Sequence, residues 1–185
     1  MSTVLKPTKE DLKNAENKTV PDLIKPNLKV LFVGINPGLY TAAIGHHFGR
    51  PGNRFWPALF ASGFTPRLFP PSESDKLLNL GYGISNIVKR ATVGSGELSK
   101  EELQNGTKEL TAQILEYQPK FAAVLGIQSY RIGFDRPKAQ MGLQDEMIGN
   151  TKIWVLPNPS GLNAHATPPV LKELFTELRL AVEKE

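Results

Sequence analysis

The sequence predicts an α/β fold, a three-layer sandwich with a central, largely parallel sheet. Four short runs rich in apolar residues, at 28–33, 83–88, 121–125 and 153–156, are typical of strands buried on both faces. Helical patterns lie between these runs, and buried strands that alternate with helices favour a parallel sheet covered on both sides. A chain of 185 residues suits one such domain and leaves little room for a second core.

The first 27 residues differ from the rest of the chain. They are rich in lysine and show no sustained apolar period. We therefore predict a polar N-terminal arm over residues 1–27 and a single domain over residues 28–185. A frayed terminus is the simplest interpretation of such an arm, and a segment that contacts the DNA backbone is the alternative.

The predicted helices carry start signals. Ser99 and Glu102 have the spacing of a capping box at the start of a long amphipathic helix. Pro168 fits the first position of a C-terminal helix, where no backbone N–H is needed. A weaker helix is predicted over residues 53–62, because Pro57 would lie in its first turns.

Composition excludes several classes of protein. The chain has no cysteine, which excludes disulfides, a thiolate nucleophile and cysteine-ligated metal centres. Its three histidines, His46, His47 and His165, are too scattered for a histidine metal site, so we expect no metal. No apolar run approaches the roughly 20 residues of a membrane span, and the N-terminus lacks a secretory apolar region, so we expect no membrane association. A net charge of +4 permits a polyanionic partner without establishing one.

The site is expected where two unusual loops leave the sheet. Ligands of open α/β sheets bind beyond the carboxyl ends of the strands, where residues 34–38 and 157–162 follow two predicted strands. Pro37 biases Asn36 towards an extended backbone, which would hold the Asn36 side-chain amide at the strand end. An ordinary Asn-Pro turn that stops the strand is the alternative.

Residues 45–56 combine glycines, aromatic residues, two histidines and two arginines. Such a mixture offers stacking surfaces for a planar base and cations for phosphate. Phe48, flanked by glycine and polar residues, is the better candidate for an exposed stacking face, whereas Phe55 and Trp56 are expected in the core. Leu162 lies in the last loop; it is either an ordinary exposed leucine or a wedge that enters between bases.

Together these loops resemble the mismatch-specific uracil/thymine-DNA glycosylases, the Mug/TDG branch of the uracil-DNA glycosylase superfamily. The resemblance runs in order from about Val30 to the C-terminal helix and leaves out only the first 25 or so residues. The matching motifs are Gly34-Ile35-Asn36-Pro37-Gly38-Leu39, Gly52-Asn53-Arg54-Phe55-Trp56 and Pro157-Asn158-Pro159-Ser160-Gly161-Leu162. One pentapeptide would be weak evidence, whereas three motifs in order at the family spacing are strong.

The resemblance implies a monofunctional DNA glycosylase that excises uracil from mismatched duplex DNA, best opposite guanine, and acts as a monomer. Asn36 matches the family's catalytic asparagine, which positions the water that attacks the sugar C1′. Phe48 matches the aromatic residue that stacks on the extruded base. No cofactor is implied. The implied location is the bacterial cytoplasm, at the nucleoid, or the nucleus of a eukaryote.

The remaining matches concern the pocket and the duplex. Ile35 and Asn158 correspond to pocket residues, and Thr41 falls where the family places a small residue near uracil C5. Gly161 and Leu162 match the loop that enters the duplex and fills the gap left by the flipped nucleotide. Thymine and other modified pyrimidines stay open as substrates, since the size and rotamer of Thr41 decide whether a 5-methyl group fits.

The chemistry agrees with the resemblance. A base inside a duplex must be flipped out before it can be excised, at a cost of a few kcal/mol. An asparagine accepts a hydrogen bond from water but cannot take its proton, so a good leaving group such as uracil is favoured.

Two other functions stay open: a non-catalytic binder of flipped or damaged bases, and an unrelated nucleotide-binding enzyme. Arg54, Lys89 and Arg90 are candidates for phosphate contacts or else solvated charges.

Overall fold

Helices and strands alternate along residues 6–185, the part of the chain that a computed structural model describes. In chain order the elements are α1 (Lys9–Asn14), β1 (Val30–Gly34), α2 (Leu39–Ile44), α3 (Phe55–Ala61), α4 (Lys76–Leu80), β2 (Tyr82–Asn86), α5 (Lys100–Tyr117), β3 (Phe121–Leu125), α6 (Ile127–Gly133), β4 (Gly142–Ile148), β5 (Thr151–Leu156) and α7 (Pro168–Glu183). The four predicted strands are present, with ends that lie within two residues of the predicted ones.

The strands form one five-stranded sheet in the order β2-β1-β3-β5-β4. β1 pairs in parallel with both β2 and β3, and β3 pairs in parallel with β5. β4 is antiparallel to β5 at the edge of the sheet. The carboxyl ends of β1, β2, β3 and β5 therefore meet at one edge, where the predicted site loops begin.

Side chains of each central strand divide between two cores. Val30 and Phe32 of β1 pack with residues of α3 and α7 on one face of the sheet. Leu31 and Val33 pack with residues of α5 on the other face. This confirms the three-layer sandwich and explains why the strand is apolar throughout rather than at alternate positions.

Phe32 lies at the centre of the first core. Its ring centroid is 5.5 Å from that of Phe55, 5.4 Å from that of Phe64 and 6.2 Å from that of Phe175, so it joins β1 to both covering helices. The side chain is fully buried. Truncation of such a ring to alanine costs about 3–5 kcal/mol of stability, which makes Phe32 a main anchor of the strand that leads into the site.

The helix start signals are confirmed. Ser99 Oγ accepts a hydrogen bond from the backbone N–H of Glu102, and the Glu102 carboxylate accepts one from the N–H of Ser99. α7 begins at Pro168 as predicted. α3 begins at Phe55, so that Pro57 lies in the first turn, where the missing N–H leaves no hydrogen bond unmade.

β4 was not predicted from the sequence. Its residues alternate between exposed and partly buried, since one side of this edge strand faces solvent. Its polar sequence, GLQDEMI, lacks the continuous apolar run that marks the other strands. Within residues 6–185 no helix has the length and apolarity to cross a membrane.

The interpretation of the N-terminal arm as a frayed terminus is wrong for the described residues. α1 has a capping box at Thr8, and Ala15 and Val20 are buried. Leu23 forms a two-hydrogen-bond bridge with Ile84 of β2, both bonds 2.9 Å long. The first five residues of the predicted arm lie outside the described residues.

Candidate functional site

A cavity of about 260 Å³ opens at the carboxyl edge of the sheet, beyond β1 and between the loops that leave β2 and β5. Six of the seven predicted site residues line it: Ile35, Asn36, Thr41, Phe48, Asn158 and Leu162. Gly161 does not line this cavity and belongs to the adjacent surface formed with residues 50–54. The structure thus brings together side chains from three loops that are far apart in sequence.

Backbone hydrogen bonds hold two of these loops side by side beyond the ends of β1 and β2. The loop after β1 supplies three carbonyl groups, and residues 87–92 supply three N–H groups. The N–H of Ile87 donates to Gly34 O at 2.9 Å, that of Val88 to Ile35 O at 2.9 Å and that of Thr92 to Pro37 O at 3.2 Å. The parallel pairing of the sheet therefore continues into the site, which gives Asn36 a rigid surround.

The Asn36 side-chain amide has a fixed orientation. Its Nδ2 donates to the backbone carbonyl of Arg90 at 3.0 Å and to Thr92 Oγ1 at 2.8 Å. Thr92 Oγ1 donates its own hydrogen to Gly94 O at 2.8 Å, so it can only accept from Asn36. Both amide hydrogens of Asn36 are used. Its Oδ1 has no hydrogen-bond partner among residues 6–185 and is free to accept one from a water molecule.

Asn86 is a cavity residue that sequence reasoning missed. It is the last residue of β2, 5% exposed, and its side-chain amide makes no hydrogen bond within the described residues. A Cβ on Gly34 would lie 2.5 Å from Asn86 Oδ1, so the glycine allows this close approach. Asn86 is a polar residue near the carboxyl end of the predicted strand 83–88, at the same edge of the sheet as Asn36, and that position was the signal that could have identified it.

Phe48 forms a rigid aromatic wall. Its ring lies 4.1 Å from that of Phe55 at an angle of 28°, so one face is stacked against the core. Its backbone has a φ of 51°, a left-handed conformation that costs a non-glycine residue about 1–2 kcal/mol. Phe48 is half-buried and lines the cavity, while Phe55 and Trp56 are buried as predicted.

Thr41 and His47 form the neighbouring wall. Thr41 Oγ1 accepts a hydrogen bond from the N–H of Gly49 at 3.2 Å. His47 is 3% exposed, and its Nε2 lies 2.8 Å from Pro21 O, so this nitrogen carries the proton. Burial lowers the pKa of His47, and the hydrogen bond to Pro21 opposes that shift only in part. His47 is therefore a neutral, structurally engaged histidine.

The loop after β5 is built by its own asparagines and projects Leu162. Asn158 Oδ1 accepts from the N–H of Ser160 at 3.0 Å, and Asn163 Nδ2 donates to Asn158 O at 3.1 Å. Leu162 is 78% exposed at the cavity rim. Gly161 is needed beside it, because a Cβ there would lie 2.5 Å from the backbone oxygen of Gly52.

The three basic residues that were candidates for phosphate contacts or solvated charges are engaged within the protein. Arg54 Nη1 donates to the carbonyls of Asn163 and Ala166 at 3.1 and 2.6 Å, which ties α3 to the Leu162 loop. Lys89 Nζ lies 2.9 Å from an Asp22 carboxylate oxygen.

Arg90, the third of these residues, bonds both carboxylate oxygens of Glu102, and this hydrogen bonding lowers the pKa of Glu102 to about 2. Arg50, by contrast, is an exposed cation at the cavity rim with no ion-pair or hydrogen-bond partner for its side chain among residues 6–185. Of these four basic residues, Arg50 is the one whose side chain has no partner within the described part of the chain.

No group of three or more metal-binding side chains occurs within the described part of the chain.

A sequence model of the uracil DNA glycosylase superfamily matches residues 21–179. This range contains all five strands and every residue that lines the cavity. It leaves out α1, the turn that follows it and the last residues of α7.

Proposed function

This chain belongs to the uracil-DNA glycosylase superfamily, whose members are DNA glycosylases, and on that premise we propose that it is a mismatch-specific enzyme of the Mug/TDG branch. Its proposed reaction is monofunctional excision of uracil from mismatched duplex DNA, best opposite guanine. One observation carries the proposal above the others: Asn36 is fixed so that its Oδ1, not its amide nitrogen, is free at the cavity.

Asn36 is proposed to position the attacking water. Its Oδ1 accepts a hydrogen bond from the water and directs an oxygen lone pair towards C1′ of the flipped nucleotide. Because Nδ2 is already bound to Arg90 O and Thr92 Oγ1, the side chain needs no reorganisation when the sugar develops positive charge. An amide does not take the water's proton in the way a carboxylate does, so the rate depends strongly on the leaving base.

The flipped base is proposed to stack on Phe48 beside the amide of Asn86. Stacking on an aromatic ring is tolerant of base identity, whereas a side-chain amide with free donors and acceptor reads the polar edge of a pyrimidine. Ile35 and Asn158 complete the cavity wall. Uracil leaves as an anion, and its stabilisation in a partly enclosed cavity favours it over poorer leaving groups.

Thr41 is proposed to decide how well thymine is tolerated. Its hydroxyl accepts a hydrogen bond from the N–H of Gly49, which fixes the rotamer and therefore the position of the side-chain methyl group. A 5-methyl group on the base would add volume at this wall. We therefore expect G/T mismatches to be poorer substrates than G/U mismatches.

Leu162 is proposed to enter the duplex where the nucleotide has left. An apolar side chain that fills this gap offsets part of the unstacking cost, and a mispaired uracil costs less to flip than a paired one. Gly161 lets the loop lie against Gly52 while Leu162 projects outwards.

The test is base release under single-turnover conditions from four oligonucleotides: G/U duplex, A/U duplex, G/T duplex and single-stranded uracil DNA. Abasic products are revealed by alkaline cleavage, and Asn36→Ala serves as the inactive control. The proposal requires release in the order G/U, then A/U, with G/T slowest or absent. Tight binding of G/U duplex without any release would identify a binder, and equal rates on G/U and A/U would remove the mismatch specificity.

A further inference from the structure

The N-terminal segment at the start of the region of family similarity is tied to the loop that orients Asn36. We infer that residues 15–22, named here the N-terminal strap, position Asn36 for the excision reaction. The inference deepens the proposed function and rests on it. Residues 15–20 of the strap precede the matched range, which begins at residue 21.

The strap holds the backbone of Ala91 from both sides. The N–H of Asn17 donates to Ala91 O at 2.9 Å, and the N–H of Ala91 donates to Lys18 O at 2.8 Å. Ala91 and Ala15 are both fully buried, so these hydrogen bonds lie in a closed contact rather than at a loose surface. Breaking them would leave buried backbone groups unpaired, a costly change.

Ala91 stands between the two groups that fix Asn36. The preceding residue, Arg90, provides the carbonyl that accepts from Asn36 Nδ2, and the following residue, Thr92, provides the hydroxyl that accepts the second hydrogen. A shift of Ala91 therefore moves both acceptors at once. This is the geometric link from the strap to the reacting water.

Side chains extend the same contact. Asp22 of the strap accepts two hydrogen bonds from Lys89 Nζ, at 2.9 and 3.1 Å, and Lys89 also donates to Asn86 O. Asn17 Oδ1 accepts from Arg90 Nη1 at 3.3 Å. Three consecutive residues, 89 to 91, thus each have a partner in the strap.

The strap also reaches the other wall of the cavity. Pro21 O accepts the hydrogen bond from His47 Nε2, next to the stacking residue Phe48. One segment therefore braces both the Asn36 loop and the aromatic wall. Small displacements matter here, because a misplacement of about 1 Å in a catalytic constellation can cost on the order of 100-fold in rate.

Asn17 offers a matched pair of variants. Its φ is 63°, a left-handed conformation that glycine adopts freely and proline cannot. Asn17→Gly keeps the N–H that binds Ala91 and loses only the side-chain contact to Arg90, which stays bonded to Glu102, whereas Asn17→Pro removes the N–H and forces a different backbone. Thr8→Ala is the control, since it breaks the capping box of α1 without touching the strap contacts.

We expect Asn17→Pro to lower the single-turnover rate on G/U duplex by about tenfold or more, with DNA affinity unchanged, because position rather than binding is lost. Asn17→Gly and Thr8→Ala should stay near the wild-type rate. Asp22→Ala, which breaks the tie to Lys89, provides a second variant and should lower the rate in the same way if Asn17→Pro does not fold.

Amide hydrogen exchange supplies a readout that does not depend on activity. Asn17→Pro should speed exchange at Ala91 and Thr92 in the free protein, while the central strands stay protected. A wild-type protein that releases no uracil would overturn the proposed function and, with it, a role for the strap in excision, whereas the exchange result would still show whether the strap holds Ala91. An active wild type with unchanged rate in both Asn17→Pro and Asp22→Ala, or unchanged exchange at Ala91, would overturn the role of the strap.

Discussion

Thr92 and Val93 are neighbours in sequence, yet they belong to two regions of the site that are built in opposite ways. Thr92 is 2% exposed and makes two side-chain hydrogen bonds within the protein. Val93 is 74% exposed and lines the mouth of the same cavity. Thr92 and Asn36 form what we call the floor, and Arg50, Val93 and Leu162 form the rim.

The difference between floor and rim matches two different physical tasks. Side chains that position a water must be oriented before the substrate arrives, and the floor gains that order from the protein's own hydrogen bonds. Side chains that meet a duplex must be free of internal partners, because each internal contact would have to be broken first. Floor variants should therefore change the chemical step, whereas rim variants should change how the duplex is engaged.

The largest expected effect is that of Asn36→Ala. Loss of the oxygen that we propose positions the water should lower the single-turnover rate by about 100-fold or more, while affinity for G/U duplex falls little. The measurements are base release at saturating enzyme and a binding titration. A variant that cleaves at nearly the wild-type rate would show that the chemical step does not depend on Asn36, and the functional difference between floor and rim would be wrong.

Thr92→Val tests the residue of the floor that holds Asn36 rather than Asn36 itself. The valine has the shape of threonine but accepts no hydrogen bond, so Asn36 Nδ2 loses one partner and the amide gains freedom to rotate. We expect a rate about tenfold lower with unchanged DNA affinity. Thr92→Ser keeps the hydroxyl and is the matched control; it should recover most of the rate. If serine and valine behave alike, the hydroxyl does not orient Asn36.

The sheet and the position of the cavity could be predicted from the sequence for a physical reason. A strand buried on both faces must be apolar at every position, and the covering helices must carry a stripe with helical period, so the pattern itself reports the layers. The location of Asn36 at the cavity was predictable because Pro37 fixes its backbone at the end of such a strand.

Other features depend on contacts between residues far apart in the chain and left no local signal. Arg54 looked like a free cation, but it donates to Asn163 and Ala166 more than a hundred positions away. The strap looked polar and unstructured because its main contact to Ala91 is made by backbone groups, which composition does not report. β4 escaped because an edge strand needs only partial burial.

Leu162→Ala tests the rim. If Leu162 fills the gap left by the flipped nucleotide, its truncation should slow release from G/U duplex several-fold and leave single-stranded substrate almost unaffected. The quantity to measure is the ratio of single-turnover rates on the two substrates. Thermal stability should not change, because a side chain that is 78% exposed contributes little to the core.

Leu143→Ala is the control for that measurement, because Leu143 is also exposed but lies on the edge strand β4. An unchanged duplex-to-single-strand ratio in Leu162→Ala would show that the gap is filled by another residue of the rim. Equal losses on both substrates would mean that Leu162 acts on the chemical step, like a residue of the floor.

The smallest expected effect concerns Arg50 and is a change of slope rather than of rate. A protein that neutralises DNA phosphates releases counterions, so the logarithm of its affinity falls linearly with the logarithm of salt concentration. Arg50 is exposed at the rim with no partner for its side chain among residues 6–185, so its full charge is available to a phosphate. Arg50→Gln should reduce the magnitude of the slope by about one, whereas the single-turnover rate at saturating enzyme should be unchanged.

Lys120→Gln is the matched control, because Lys120 is an exposed cation that precedes β3 at the opposite edge of the sheet. Equal slopes for Arg50→Gln and the wild type would remove Arg50 from the duplex contact and return the question to Lys89 and Arg90, whose charges are already shared with Asp22 and Glu102.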